Sequence, residues 1–247
     1  ALQNDTGQYL IERHTILTAP SIQSLQFIQS ETANRTADVT LSALSTDETI
    51  IVGNPTMPTL AGNTLSSLPG AEQEAIAIAN QLNTTPLLGH NATESAVREQ
   101  LSSARLIHLA THGLLDYGDS ARERPGAIAL APNAQHDGLL TAAELAQQDL
   151  VADLVVLSAC DTGQGSITGD GVVGLSRSLL VAGVPRVVVS LWAVPDMPTA
   201  GLMTTFYEQL AVGQSTAQAL RQAMLATMQT HPAPKDWAAF TLIGESE

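Results

Sequence analysis

The 247-residue chain has a single cysteine, Cys160, and a single lysine, Lys235, and nowhere along it do basic residues cluster. One cysteine excludes an internal disulfide and any zinc site assembled from cysteines. The shortage of cations, ten Lys and Arg against 24 Asp and Glu for a formal charge of −14, argues against nucleic acid as a partner, because phosphate contacts need clustered Lys and Arg. Apolar runs are short as well. The longest, such as Leu179–Val184 and Val187–Leu191, fall far below the roughly 20 residues needed to cross a bilayer, so no membrane partner is expected. The N-terminus offers neither the basic start nor the apolar stretch of a secretory signal, and a cytoplasmic location is the expectation. An acidic surface suits basic peptide segments as ligands, and it also serves solubility.

What is present is ample for a folded core: 44% of residues are hydrophobic. Apolar, β-branched runs predict strands at Thr49–Val52, Leu106–Ala110, Ala127–Leu130, Leu154–Ser158, Val187–Trp192 and Ala239–Ile243. Helical spacing predicts helices at Ala71–Leu82, Glu94–Ser103, Ala142–Gln148, Val172–Ala182, Thr199–Leu210 and Ala217–Met228. This alternation predicts an α/β fold, a mostly parallel central sheet with helices on both faces. Upstream of residue 49, Tyr9–Leu17 reads as a strand, Ser21–Gln29 as a short helix, and residues 1–48 as an N-terminal flank integral to one domain spanning 1–247. Residues 54–70, rich in Pro, Gly, Asn and Ser, read as a surface loop.

Two of the predicted strands end in reactive side chains. Arg105-Leu-Ile-His108-Leu-Ala-Thr-His112-Gly113 and Leu154-Val-Val-Leu-Ser-Ala-Cys160-Asp161-Thr-Gly163 each close on a His or Cys with a glycine within three residues, which lets backbone and substrate approach. In open α/β sheets, ligands bind at the carboxyl ends of strands. Cys160 stands 48 positions after His112, close to the roughly 50 that separate the two in caspases, whose Cys also follows an alanine. A lone cysteine by itself is more often core filler; this setting favours a nucleophile. A thiolate attacks, and a nearby imidazole lowers the thiol's pKa or takes its proton. The backbone N–H groups of Gly113 and Cys160 are then candidates for the oxyanion. His108, of the same strand parity as His112, reads as a hydrogen-bonded core histidine.

The runs around His112 and Cys160, together with Gly169-Asp170-Gly171-Val-Val-Gly174-Leu-Ser-Arg-Ser, Ser190-Leu-Trp192-Ala-Val-Pro-Asp196 and Trp237-Ala-Ala-Phe-Thr-Leu-Ile-Gly244, resemble a bacterial, especially cyanobacterial, CHAT domain. The likeness continues through Val52-Gly53-Asn54-Pro55 and Leu68-Pro-Gly-Ala-Glu-Gln-Glu74, and so covers nearly the whole chain. It implies the caspase-haemoglobinase fold shared with caspases and separase, over a core at 49–247. It further implies peptide-bond hydrolysis by a Cys–His dyad without a metal cofactor. CHAT domains usually follow tetratricopeptide repeats, so an upstream repeat region or regulatory protein is an implied partner beside a protein or peptide substrate. Separase-like relatives cleave after arginine and place an acidic residue beyond a Trp-containing strand. Asp196 and Trp192 match that pattern, which implies a basic P1 pocket, with Asp161 a second acidic candidate. Metacaspases put an acid two before the Cys; Ser158 stands there, excluding a pocket built that way. With an arginine preference, Arg122 and Arg124 become candidate self-cleavage sites.

Two other readings compete. Gly169-x-Gly171-x-x-Gly174 fits a dinucleotide fingerprint, but Asp161 to Thr168 separate it from the strand run ending Ser158-Ala159-Cys160, which it should follow directly. The domain could also be a catalytically latent scaffold acting in partner binding.

Overall fold

The computed structural model of the chain describes residues 2–19, 21, 41, 44–114, 126–161, 169–192 and 195–245; of residues 159–161, 169–173 and 196 it describes the backbone. Its strands, in chain order, are β1 (Thr49–Pro55), β2 (Thr59–Leu60), β3 (Asn63–Thr64), β4 (Leu87–Gly89), β5 (Leu106–Leu114), β6 (Ala127–Ala129), β7 (Leu139–Thr141), β8 (Leu154–Asp161), β9 (Arg186–Ser190) and β10 (Phe240–Gly244). The helices are α1 (Pro69–Leu82), α2 (Glu94–Leu101), α3 (Ala142–Leu145), α4 (Gly169–Val181), α5 (Asp196–Ala211), α6 (Thr216–Thr230) and α7 (Pro234–Trp237).

The main sheet runs β10-β9-β8-β5-β1-β4. Its five strands from β9 to β4 are parallel, β10 is an antiparallel edge, and β6 and β7 extend β5 as an antiparallel ribbon. The expected α/β architecture is therefore the one observed. Strands covered on both sides read as near-continuous apolar runs rather than alternating ones, and β5 is buried at all nine of its residues. Side-chain alternation then sorts the core into two layers. Ile50, Val52, Ile107, Leu109, Val155 and Leu157 face α2, α3 and α4. Ile51, Leu106, Leu154, Val156 and Val188 face α1, α5 and α6.

The N-terminal segment departs from expectation. Tyr9–Leu17 is not a strand: Leu10–Glu12 form a single 3-10 turn, flanked by isolated bridges Gln3↔Tyr9 and Thr18↔Ile243. The cause is local competition for the backbone. The Glu12 carboxylate accepts from the Tyr9 N–H, and Arg221 Nε and Nη2 donate to the Ile11 and Glu12 carbonyls at 2.7 Å each, so groups a ladder would need are taken. Tyr9 also stacks edge-on against Trp237, ring centres 4.9 Å apart, pinning the segment to the α6 and α7 side. Most of the helix expected at Ser21–Gln29 lies outside the described residues.

Other boundaries move less. β5 and β8 run past the apolar stretches to Leu114 and Asp161, and β9 stops at Ser190, two residues before Trp192. α5 starts three residues earlier than expected, at Asp196. The short strands β2, β3, β4 and β7 had no counterpart in the hydrophobic pattern.

One glycine sets a distance that matters for the site. A Cβ on Gly53 would meet Ala75 Cβ at 2.4 Å and the Ala71 carbonyl at 2.7 Å, so α1 packs on β1 as closely as only glycine permits. Gly53→Ala is expected to push α1 outward and destabilise the fold by about 1–3 kcal/mol, the usual cost of overpacking. The check is urea denaturation, where the midpoint falls and the slope stays unchanged.

Candidate active site

β5 and β8 pair in parallel over eight consecutive positions, from Leu106↔Leu154 to Gly113↔Asp161, and this register sets His112 opposite Cys160. Neighbouring strands lie about 4.8 Å apart. The two positions expected to form a dyad are thus adjacent at the carboxyl edge of the sheet, where α/β proteins bind ligands. What is described of Cys160 is this backbone position.

His112 is completely buried, and its Nε2 lies 2.7 Å from the Ser66 carbonyl oxygen. A carbonyl only accepts, so Nε2 carries the proton and, in the neutral ring, Nδ1 carries the basic lone pair. A third group that fixes the tautomer and angle of the imidazole is what a nucleophile–base pair requires. The sequence did not reveal this group, because a backbone carbonyl 46 residues upstream, in a loop marked only by Pro, Gly and Ser, has no side-chain signature.

His108 sits beneath the site on the same face of β5 and is equally buried. Its Nδ1 lies 3.1 Å from the Tyr207 hydroxyl of α5. Its Nε2 lies 3.0 Å from Glu74 Oε1 of α1, in an approach off the hydrogen-bond axis. All three residues are 2% exposed or less. Burial, and secondarily the Glu74 carboxylate, push the Tyr207 hydroxyl well above its ordinary pKa of 10.0, so it stays protonated as a donor or acceptor throughout the physiological range. This cluster ties two helices to β5, as the core-histidine reading of His108 anticipated.

The remaining expected residues fall as follows. Gly113 lies within β5 rather than beyond it, buried, with Asp161 of β8 on one side and Ile128 of β6 on the other. Asp161 is the last residue of β8 and Asp196 the first of α5; for both, what is described is backbone position. Trp192 is half-buried just past β9, packs on the α5 and α6 side of the core, and donates its indole N–H to the Lys235 carbonyl at 3.1 Å. Arg122 and Arg124 lie outside the described residues. Gly169, Gly171 and Gly174 all fall inside α4, with residues 162–168 between β8 and the helix. They do not form the tight strand-to-helix turn that cradles a pyrophosphate, and the dinucleotide reading ends there.

A mostly parallel sheet covered on both faces, with a histidine and a cysteine in register at its carboxyl edge, has the organisation of a caspase-like cysteine peptidase fold. Gingipain R, described as an Arg specific cysteine proteinase, shares that fold, with a TM-score of 0.59 at 13% identity over 92% of this chain and 52% of its own. So does separase in the Saccharomyces cerevisiae separase–securin complex, with a TM-score of 0.60 at 16% identity over 93% of this chain and 14% of the other. The chain belongs to the CHAT domain family: the family model matches residues 1–245. Among curated relatives, tetratricopeptide repeat protein 28 of Homo sapiens is 31% identical over 98% of this chain, and its Mus musculus counterpart 31% over 97%. The chain spans 11% of the length of both. Among the described residues no helix is long and apolar enough to cross a membrane.

The buried cluster yields a stability prediction. Tyr207→Phe deletes the partner of His108 Nδ1 inside the core, and leaving such a group unsatisfied costs on the order of 1–3 kcal/mol. Urea titrations at neutral pH of the wild type and the variant measure the loss. A raised folded-state pKa means that the tyrosine's contribution is complete below its unfolded value near 10 and fades above it. The gap between wild type and variant therefore narrows as the pH is taken past 10.

Proposed function

We propose that the chain is a cysteine endopeptidase domain that hydrolyses peptide bonds through His112 and Cys160. The observation that carries the reading is the register of β5 and β8, which sets the two positions side by side. Family and fold support it, since the chain is a CHAT domain whose fold is also that of a cysteine proteinase. The domain acts as one unit over residues 1–247, the first 48 included.

In the proposed mechanism, His112 Nδ1 removes the Cys160 thiol proton and the thiolate attacks the scissile carbonyl carbon. The tetrahedral oxyanion is held by the backbone N–H groups of Gly113 and Cys160. The C–N bond breaks as His112 returns the proton to the leaving amine, leaving a thioester. Water, deprotonated by His112, then cleaves the thioester and releases the carboxylate product and the thiol. The Ser66 carbonyl holds the imidazole and disperses part of the charge that develops on it.

The pocket for the residue before the scissile bond is assigned to Asp196 at the start of α5, with Trp192 as a wall and Asp161 as a second acidic candidate. A carboxylate there selects Arg or Lys. The net charge of −14 favours approach of basic segments, and the gingipain relative in fold is named for arginine specificity. The relatives named for tetratricopeptide repeats, and the separase neighbour caught with securin, support a protein substrate or regulator presented by regions outside this chain. A second reading, a latent scaffold, draws on the fact that the chain is 11% of those relatives.

Cleavage of a diverse peptide library, read by mass spectrometry, tests the proposal. The wild type is expected to cut after Arg or Lys, with Cys160→Ala and His112→Ala silent, a loss of at least about 1,000-fold. Asp196→Ala is expected to lose the basic preference while retaining the ability to cut. Cutting that survives Cys160→Ala removes the dyad, and a silent wild type favours the scaffold.

A further inference from the structure

β1 does not run evenly into its loop. Its register against β4 shifts between Gly53 and Pro55, and Asn54, the residue left over, has a φ of +43°, in the left-handed region. A bulge re-aims the side chain it carries. A non-glycine residue held at positive φ persists where the surroundings over-determine it, and such residues cluster at functional sites.

The surroundings here are explicit. Asn54 Oδ1 accepts from the Leu68 N–H at 2.7 Å and from the Ser67 hydroxyl at 3.1 Å, while Nδ2 donates to Glu72 Oε2 at 2.9 Å. One amide thus gathers the last two residues of the loop and the first turn of α1. The residue next to them is Ser66, whose carbonyl accepts from His112. Ser66 and Ser67 are both exposed, so burial does not fix that carbonyl in place. The other end of the loop is tied separately, the Thr56 N–H donating to the Gly89 carbonyl at 2.9 Å.

We propose that Asn54 is a positioning residue for His112. Through Ser67 and Leu68 it sets the Ser66 carbonyl, and that carbonyl holds the imidazole with its proton on Nε2 and its lone pair on Nδ1. The inference rests on the Cys–His reading of the site, and its test separates the two. Asparagine suits the post because it tolerates the backbone conformation and offers acceptor and donor on one planar group. Aspartate in its place keeps the acceptors but faces the Glu72 carboxylate.

The experiment uses the full chain and two readouts: the rate of Cys160 alkylation by iodoacetamide across pH, unambiguous because the chain has no other cysteine, and the 15N NMR tautomer signature of His112. In the wild type, alkylation at neutral pH is expected to depend on His112, falling in His112→Ala, with the signature of an Nε2-protonated ring. Asn54→Gly keeps the backbone conformation without the amide. It is expected to alkylate about tenfold more slowly at neutral pH, the cost of roughly one hydrogen bond, with its pH midpoint raised and its His112 signals moved toward a tautomer mixture. Asn54→Asp is expected to show the same defect, and adding Glu72→Gln, which restores a donor opposite the carboxylate, to reverse it. A merely structural role would shift melting temperature without moving the tautomer. Wild-type signals and rates in a folded Asn54→Gly overturn the proposal. If that variant does not fold, failure of Glu72→Gln to reverse the Asn54→Asp defect overturns it equally. If wild-type alkylation proves independent of His112, the dyad fails, and the tautomer signature alone still decides whether Asn54 governs His112.

Discussion

Everything at the carboxyl edge of the sheet depends on the register of β5 against β8. A slip of one residue would set Cys160 opposite Thr111 or Gly113 and exchange the faces of the whole strand, since side chains alternate with a period of two. The register is fastened where the strands begin. Arg105, just before β5, meets Asp153, just before β8, with Nε and Nη2 at 2.7 and 2.6 Å from the same carboxylate oxygen, and the Asp153 N–H returns a bond to the Arg105 carbonyl at 2.8 Å. Such a partly exposed pair adds little free energy, but it defines where counting starts. Seven residues later on each strand, the same alignment reaches His112 and Cys160. Burial on both faces then penalises every alternative.

The polar groups inside this fold are few, and their placement is economical in elements rather than in energy. His108, Glu74 and Tyr207 occupy the layer that also carries Ile51, Val156 and Phe206. A desolvated cluster of this kind costs more than apolar packing unless its members satisfy one another. In exchange it makes the seating of α1 and α5 on β5 directional, which close-packed aliphatic side chains alone do not. Both helices lead away from segments of the proposed site: α1 follows Ser66, and α5 opens with Asp196, the residue assigned above to the proposed pocket.

The juxtaposition of His112 and Cys160 at the candidate site could be read in the sequence to the extent that both residues terminate apolar runs. Leu106–Ala110 and Leu154–Ser158 announce buried strands, and a histidine or cysteine closing such a run stands out against it. The fold class was legible for the same reason. β4 and β7 are three residues each, too short to show a period, and the Leu10–Glu12 turn is made by bonds to Arg221, some 210 positions away. Around Gly53-Asn54-Pro55 the pattern ends the strand at Val52, three residues before β1 ends at Pro55. It says nothing of the 13 to 18 residues spanned by the amide's hydrogen bonds, which arise because the chain folds back to begin α1.

Helix α1 is held in two directions at once. Glu72 and Glu74 stand two residues apart, about 200° around the axis at 3.6 residues per turn, and they grip different strands, β1 through Asn54 and β5 through His108. The helix is therefore keyed like a shaft between two bearings. It cannot roll without breaking one contact or the other, and the close approach at Gly53 leaves it no room to move inward. A lift away from the sheet would break both contacts at once, carry the loop ahead of the helix along and withdraw the carbonyl over His112 in the same step.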